Sequence, residues 1–232
     1  MNQAPSTKHQ AQRVALVTGA ARGIGAAIAA ELTAAGCHVV TPTRAELDLA
    51  SPASLDAWVA ANAGLGVDIL INNAGINVLR PLPEIESAAW TAMTQTNLTS
   101  PLRLIQAFAP GMAARGWGRI LNVSTIFSLV TKERRAAYSM TKAALNALTR
   151  SAAVEFGPAG VLVNSLAPGY VDTALTRQNN SPEAIAALTG TIPLRRLAQP
   201  AELARTAAFL VSEANTYLTG QTIVVDGGFT CL

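Results

Sequence analysis

Short apolar runs alternate along most of the chain with longer segments in which apolar residues recur at helical spacing. The runs rich in β-branched residues predict buried strands over residues 13–18, 38–41, 67–71, 118–124, 161–166 and 221–225. The longer segments predict helices over residues 26–35, 52–63, 87–115, 138–156 and 200–212. This alternation predicts an α/β fold, a doubly wound parallel sheet of about seven strands with helices on both faces.

Composition supports one large core. Half of the 232 residues are hydrophobic and only 13% are charged, which suits a sheet covered on both sides. We therefore expect a single domain over residues 13–232, preceded by a flexible polar segment over residues 1–12. Residues 174–199 are polar and weakly periodic, with a short helix expected after Pro182. A segment of this kind is a functional lid or is disordered, and it is interpreted here as a lid over the substrate.

Charge and cysteine content exclude several classes of protein. The net charge of +3 comes without a clustered basic stripe, so we expect no nucleic-acid partner. No run of 18 apolar residues occurs, which argues against a membrane span. Cys37 and Cys231 lie far apart without metal-ligand spacing, so we expect no metal site and a reduced, cytoplasmic compartment.

A glycine-rich turn joins the first strand to the first helix. Gly19, Gly23 and Gly25 follow the strand directly, with Gly-x3-Gly-x-Gly spacing. Glycines allow the backbone to approach a pyrophosphate, and the helix N-terminus offers N–H donors and the positive end of a dipole. The context of strand, turn and helix predicts a cradle for a dinucleotide.

The segment after the second strand bears on the choice of cofactor. A carboxylate there binds the ribose 2′-hydroxyl of NAD, whereas an Arg accommodates the 2′-phosphate of NADP. Here Arg44 follows the strand, and Arg22 lies in the glycine turn, which favours NADP. The alternative interpretation is that both are solvated surface residues. The distance to Asp48 is too short for another helix and strand, and Asp48 is a candidate for the adenine pocket.

Small and polar residues follow three further strands. Residues 72–75 (Asn-Asn-Ala-Gly), Ser124 with Thr125, and residues 168–173 all come directly after a strand. Ligands of doubly wound sheets bind at the carboxyl ends of the strands. We therefore expect these groups and the glycine turn to form one site.

Tyr138 and Lys142 are four residues apart at the start of a predicted helix and share one face. A cation within ~4–6 Å lowers the pKa of a phenol, which makes Tyr138 a candidate proton donor or acceptor. Asn97 lies in the middle of another predicted helix near Pro101, where Asn and Pro are both unfavourable. Either the helix is kinked there so that Asn97 serves a site, or Asn97 is an ordinary exposed residue. The charged residues 132–135 are interpreted as a solvated rim rather than an anion site.

These motifs together resemble the short-chain dehydrogenase/reductase family over about residues 13–229. They comprise the glycine turn, residues 72–75, Asn97, the Tyr-x3-Lys pair, Pro168-Gly169 and the closing Val225-Asp226-Gly227-Gly228. The resemblance implies a Rossmann fold and hydride transfer between a nicotinamide and a carbonyl or secondary alcohol. Within the family the pattern is most similar to 3-oxoacyl-(acyl carrier protein) reductases.

The resemblance also implies roles for individual residues. Tyr138 is the expected acid or base, Lys142 lowers its pKa and binds the nicotinamide ribose, and Asn97 holds a water of the proton relay. The family places a Ser 13 residues before the Tyr, where this chain has Thr125, so Thr125 is the expected catalytic hydroxyl and Ser124 the alternative. The expected cofactor-binding residues are Gly19, Ala21, Arg22, Gly23, Ile24, Gly25, Arg44, Asp48, Leu49, Asn73, Ala74, Gly75, Tyr138, Lys142, Pro168, Gly169, Val171 and Thr173.

The sequence thus predicts an NAD(P)-dependent oxidoreductase that favours NADP(H), with NAD(H) as the alternative, and acts on a small carbonyl or alcohol. A nucleotide-sensing or scaffold protein on the same fold is the competing interpretation, because a fold alone does not define a function. The family resemblance implies a homotetramer or dimer that packs through the long helices over residues 87–115 and 138–156.

Overall fold

The fold is one parallel sheet between two layers of helices. The computed structural model describes residues 12–179 and 181–232, so most of the flexible segment expected over residues 1–12 lies outside the described residues, as does Asn180 of the expected lid. The six strands are β1 (Val14–Val17), β2 (His38–Val40), β3 (Val67–Asn72), β4 (Gly118–Val123), β5 (Val161–Pro168) and β6 (Thr222–Val225). They pair in parallel in the order β2-β1-β3-β4-β5-β6.

Eight α-helices connect or flank these strands in the described residues. They are α1 (Gly23–Ala34), α2 (Pro52–Ala61), α3 (Ser87–Thr94), α4 (Ser100–Ala114), α5 (Ala136–Phe156), α6 (Ala174–Asn179), α7 (Pro182–Thr191) and α8 (Pro200–Val211). The segment expected to form the lid contains the short helix expected after Pro182, which is α7, and a further short helix, α6, that was not expected. Ser51 caps α2 by accepting a hydrogen bond from the Ser54 amide at 3.3 Å, as such a residue does at a helix start.

The doubly wound α/β fold is confirmed, but the sheet has six strands in the described residues rather than about seven. After β2 ends at Val40, residues 41–51 form only turns before α2 begins. These eleven residues are too few for a helix and a further strand, since a crossover of that kind needs a dozen residues or more. β2 is therefore the edge of the sheet.

Alternate residues of each central strand face opposite layers. Leu16 and Leu70 pack on one face with residues of α2, α4 and α5, and they belong to one buried cluster. Val17 and Ile71 pack on the other face with residues of α1 and α8. Both clusters are buried, which explains why the strands are apolar runs without a polar face.

The chain reverses its direction of progress across the sheet at β1. It first adds β2 on one side of β1 and later adds β3 on the other side. The crevice between the carboxyl ends of β1 and β3 is the place where such sheets bind ligands. The glycine turn follows β1, and residues 72–75 follow β3, so both expected motifs border this crevice.

Candidate active site

The glycine turn after β1 takes a conformation that larger residues would disturb. Gly19 and Gly23 have φ angles of +65° and +60°, in the left-handed region. A Cβ at Gly25 would lie 2.3 Å from the Asn73 Nδ2 and 2.4 Å from the Gly19 carbonyl oxygen. The turn is thus closed tightly against the loop that follows β3.

A network between Thr18 and Asn73 holds the two loops together. The Thr18 hydroxyl accepts hydrogen bonds from the amides of Asn73 at 3.1 Å and Ala74 at 3.2 Å. The Asn73 side chain in turn donates to the carbonyls of Thr18 at 2.9 Å and Gly19 at 3.0 Å. The Asn73 side chain therefore shapes the glycine turn from the neighbouring strand.

The N-terminus of α1 fits the pyrophosphate of a dinucleotide. Among the described residues, the N-cap Arg22 makes no side-chain capping hydrogen bond and the first turn of α1 contains no acidic residue, so the helix itself supplies no anion that competes for its backbone donors and dipole. A Cβ at Gly23 would lie 3.4 Å from the Thr173 methyl carbon, which places the chain after β5 over the same turn. The lack of side chains at these glycines leaves the room that a close-lying phosphate needs.

Asn97 lies in a π-helical turn, Gln95–Thr99, between α3 and α4. Its side chain is fully buried and pairs with the backbone of Ile76: the Ile76 amide donates to Oδ1 at 2.9 Å, and Nδ2 donates to the Ile76 carbonyl at 2.9 Å. Nδ2 also donates to the Thr141 hydroxyl on α5 at 3.1 Å. The interruption expected at Asn97 is thus a widened turn, with Pro101 in the first turn of α4.

Lys142 is a buried cation without an acidic partner among the described residues. Only 3% of it is exposed, and its Nζ donates to the Val123 carbonyl oxygen at 2.7 Å. Burial lowers the pKa of Lys142 from 10.5 to about 8. A Cβ at Gly75 would lie 3.4 Å from the Lys142 Nζ, so the loop after β3 also leaves open space next to this amine.

Tyr138 lies in the first turn of α5, which begins two residues earlier than the sequence predicts. Burial raises the pKa of Tyr138 above its ordinary value of 10.0, although Arg135 and a hydrogen bond with the Thr125 side chain lower it. This outcome differs from the expected depression by Lys142, whose Nζ lies 6.0 Å from the centre of the Tyr138 ring. The phenol is accordingly protonated at neutral pH.

The two candidate hydroxyls have different surroundings. Thr125 shares a hydrogen bond with Tyr138, and its Oγ1 also accepts from the Phe127 amide at 3.3 Å. The Ser124 hydroxyl instead donates to the backbone carbonyl of Lys142 at 3.4 Å. Thr125 is therefore the hydroxyl paired with the phenol.

These groups meet in a cavity of about 280 Å³ at the carboxyl edge of the sheet. The expected site residues that line it are Ile24, Asn73, Gly75, Ser124, Thr125, Tyr138, Lys142, Pro168, Gly169, Val171 and Thr173. The other lining residues are Ile76, Asn77, Leu79, Val123, Phe127, Arg135, Tyr170 and Thr176. Tyr170 lies within the expected segment 168–173, whereas Ile76, Asn77, Leu79, Val123 and Thr176 were not selected from the sequence. Arg135 was interpreted mainly as a rim residue, although it precedes Tyr138 by three positions in sequence.

Several expected cofactor residues lie outside this cavity. Arg44 is 83% exposed as a side chain and forms an ion pair with Asp48 at 3.6 Å. The Leu49 side chain is buried in the core, and its backbone carbonyl accepts a hydrogen bond from the Ser100 hydroxyl at 2.7 Å. Leu49 is thus hydrogen-bonded to the first residue of α4. Ala21 and Arg22 are exposed at the glycine turn.

A larger cavity of about 930 Å³ lies between the lid helices and α8. Two bidentate ion pairs border it, Asp172 with Arg177 and Arg196 with Glu202, all at 2.7 Å. Its lining contains none of the expected catalytic residues. The smaller cavity is therefore the candidate active site.

The described residues contain no group of three or more His, Cys, Asp or Glu side chains that could hold a metal ion. No helix in the same part of the chain is long and apolar enough to cross a membrane.

Comparison with known families identifies the class. The family model described as short chain dehydrogenase matches residues 13–55, and the model described as Enoyl-(Acyl carrier protein) reductase matches residues 41–230. The chain belongs to the short-chain dehydrogenase/reductase family and is an NAD(P)-dependent oxidoreductase of that family.

Individual relatives cover nearly the full chain. The 3-oxoacyl-(acyl-carrier-protein) reductase FabG of Vibrio cholerae is 37% identical, over 93% of this chain and 96% of that protein. The cis-4-hydroxycyclohexanecarboxylate dehydrogenase of Sinomonas cyclohexanicum is 38% identical, over 96% and 98% respectively. A crystal structure of a gluconate 5-dehydrogenase from Burkholderia cenocepacia in complex with NADP and tartrate is 34% identical. It has a TM-score of 0.90 and covers 95% of this chain and 96% of that one.

Proposed function

We propose that this protein reduces a small carbonyl compound with NADPH, or oxidises the corresponding alcohol with NADP+, and that Tyr138 is its acid or base. The observation that carries the proposal is the meeting of Tyr138, Thr125 and Lys142 in one cavity beside the glycine turn. The relatives' names refer to different substrates, so they support the type of reaction rather than one substrate.

The protonated phenol is suited to the reductive direction. Because the pKa of Tyr138 is raised, the phenol holds its proton at neutral pH and can donate it to a carbonyl oxygen. The Thr125 hydroxyl lies beside the phenol and orients the same oxygen. The nicotinamide supplies the hydride when bound.

Lys142 and Asn97 support the proton donor. Lys142 is buried near the phenol, so its positive charge stabilises the phenolate that remains after proton donation. We propose that its amine also binds the nicotinamide ribose. Asn97 fixes the backbone at Ile76, which lines the cavity, and we propose that the widened turn holds the water of the proton relay.

The remaining cofactor residues are proposed to line the dinucleotide from its adenine end to its nicotinamide end. Arg44 and Arg22 bind the 2′-phosphate, and Asp48 lies beside the adenine. Arg44 has no acidic partner other than Asp48 among the described residues, and its exposure leaves it free to turn towards a phosphate. NADP is also present in the related gluconate 5-dehydrogenase structure. The other proposed contacts are those predicted from the sequence: Gly19, Ala21, Gly23, Ile24, Gly25, Leu49, Asn73, Ala74, Gly75, Pro168, Gly169, Val171 and Thr173.

The assembly and location of the protein belong to the same proposal. Met140 and Val154 on α5 and Leu102 on α4 are exposed by 48%, 79% and 37%, which supports a homotetramer or dimer packed through these helices. Cys37 and Cys231 are free thiols, consistent with a cytoplasmic protein. We propose a single domain over residues 13–232, with residues 174–199 as its lid.

The test compares the protein with Tyr138→Phe in the presence of NADPH, using a panel of ketones, oxo acids, sugars and acyl thioesters. Loss of the proton donor is expected to lower kcat at least about 100-fold, the lower range of general acid catalysis. NADPH binding, measured by its fluorescence, is expected to stay within about twofold. Equal turnover by the two proteins would refute the role of Tyr138, and binding of NADPH without turnover of any substrate would favour the sensor or scaffold.

A further inference from the structure

Two cations, Lys142 and Arg135, line the cavity, and the proposed reaction assigns no role to Arg135. It is the residue just before α5 and lies three positions before Tyr138. Its neighbours in the charged loop, residues 132–134, are exposed, whereas Arg135 is half-buried and lines the cavity. From the sequence a solvated rim was favoured for all four residues, with contact to an anionic substrate as the alternative for Arg134 and Arg135, and the structure separates Arg135 from the others.

The guanidinium of Arg135 is held in position without being neutralised. It lies over the ring of Phe127, 4.3 Å from the ring centre. Phe127 contacts Tyr170 edge-on at 5.9 Å between ring centres, and Tyr170 contacts Phe229 at 5.4 Å. This row of aromatic rings fixes one wall of the cavity and the plane of the guanidinium.

No carboxylate balances this charge. Among the described residues, no ion pair or side-chain hydrogen bond involves the Arg135 guanidinium. The lining of the cavity contains two cations, Arg135 and Lys142, and no Asp or Glu. Arg135 also lowers the pKa values of both Tyr138 and Tyr170, so its field reaches the proton donor.

We propose that the substrate is an oxo acid, or the matching hydroxy acid, whose carboxylate pairs with Arg135 while its carbonyl oxygen meets Tyr138. This inference rests on the proposed function and names the substrate class of the same site. A single planar guanidinium matches a carboxylate with two parallel hydrogen bonds. Arg135 and Tyr138 line the same cavity of about 280 Å³, so one small molecule can place its carboxylate at Arg135 and its carbonyl at Tyr138.

The reaction consumes one hydride and one proton. The carbonyl carbon would gain the hydride from NADPH and the carbonyl oxygen the proton of Tyr138, which yields NADP+, a hydroxy acid and a phenolate. A proton from solvent then restores the phenol of Tyr138. The carboxylate keeps its charge throughout, so Arg135 contributes to binding and orientation rather than to proton transfer.

The experiment compares oxo acids with their uncharged primary amides as substrates, using NADPH and the full chain. The protein is expected to prefer the acid by about tenfold or more in kcat/KM, as a charge-assisted pair in a partly buried site allows. Arg135→Gln is expected to remove most of that preference, measured as the ratio of kcat/KM for the acid to kcat/KM for the amide, in which any change at Tyr138 that both substrates share cancels. Arg135→Lys, which keeps the charge but loses the planar fork, is expected to restore part of it.

Arg134→Gln is the matched control. It removes the same charge from the adjacent, exposed position, so the preference for the acid is expected to stay within about twofold of the unaltered protein. NADPH affinity is expected to be the same in both variants, because neither Arg134 nor Arg135 is among the proposed cofactor-binding residues. Unchanged NADPH affinity also shows that Arg135→Gln is folded.

The outcomes separate this inference from the proposed function. Reduction of neutral ketones or amides as well as, or better than, the acids refutes the role of Arg135 and leaves the oxidoreductase standing. An equal loss with Arg134→Gln also refutes it, since the effect would then be one of overall charge. If NADPH is bound but no carbonyl compound is reduced, the proposed oxidoreductase function and the proposed oxo-acid substrate are both refuted. Phosphorylated ketones form a further arm, and a stronger preference for them than for oxo acids overturns the assignment to a carboxylate.

Discussion

Replacement of Lys142 by Met is expected to stabilise the cofactor-free protein while abolishing its activity. Lys142 is buried without a carboxylate partner in the described part of the chain, and its pKa falls from 10.5 to about 8 on folding. At about 1.4 kcal/mol per pH unit, the charged amine lowers the free energy of unfolding by about 3 kcal/mol at pH 7. Met fills a similar volume without this cost.

One favourable interaction is lost in the variant. The Lys142 Nζ donates to the Val123 carbonyl at 2.7 Å, and removal of that donor costs about 1 kcal/mol. The net gain for Lys142→Met is therefore about 2 kcal/mol at pH 7.

The pH dependence identifies the cause of that gain. The folded pKa lies below the unfolded pKa, so the unfolded chain binds more protons between about pH 8 and 10.5, and the stability of the unaltered protein rises with pH in this window. The penalty from the charge falls to about 2 kcal/mol at pH 9 and below about 1 kcal/mol at pH 10. The advantage of the variant is accordingly expected to shrink over the same range and to vanish near pH 10.

Urea denaturation of the cofactor-free proteins, at equal concentration and between pH 6.5 and 10, measures the effect. Lys132→Met is the control, since Lys132 is exposed and the same substitution there is expected to change stability by less than about 0.5 kcal/mol. A Lys142→Met protein that is no more stable at pH 7 would refute the reasoning. If the difference in the free energy of unfolding stays constant with pH, its cause is packing rather than the charge of Lys142.

Three further outcomes are expected. Thr125→Val lowers kcat about 100-fold or more whereas Ser124→Ala changes it less than about threefold, and the reverse result in steady-state assays would identify the other hydroxyl. Gly25→Ala is expected to weaken NADPH binding at least about tenfold in fluorescence titrations, because the added Cβ would lie 2.3 Å from the Asn73 Nδ2. Gly64→Ala is the control, since its Cβ would meet no atom within 4 Å, and NADPH binding is expected to stay unchanged. Arg44→Asp reverses the preference for NADPH over NADH, and equal affinity of the unaltered protein for both cofactors would contradict this.

Much of the fold could be predicted from the sequence because its signals are local. The apolar runs and the glycines after β1 define strands and a turn through neighbouring residues, and the six observed strands all coincide with predicted ones. The described residues form six strands rather than about seven, because residues 41–51 leave room only for turns. The short helix after Pro182 was expected, whereas α6 was not, because a short polar helix has weak periodicity.

The site could be predicted where a local motif identifies the residue. It could not be predicted where the position of a residue depends on packing against residues that are distant in sequence. Tyr138, Lys142 and Thr125 meet as expected, since each position follows from a strand end or a helical face. The structural role of Asn73 depends on contacts 54 and 55 residues away in sequence. The place of Arg135 depends on its stacking with Phe127, and the sign of the Tyr138 pKa shift depends on burial, neither of which a sequence pattern displays.

The link between Asn73 and the glycine turn has a consequence for how the cofactor site is assembled during folding. Residues 18–25 are contiguous, yet their shape is completed by β3, which is synthesised and paired much later. A chain that has formed only β1, α1 and β2 lacks the side chain that closes the turn. The glycine turn can therefore bind a dinucleotide only after β3 has paired with β1. This pairing is cooperative, and it costs conformational entropy because it closes the loop of chain between the two strands. A dinucleotide that binds the completed turn then stabilises the paired strands in preference to every earlier intermediate.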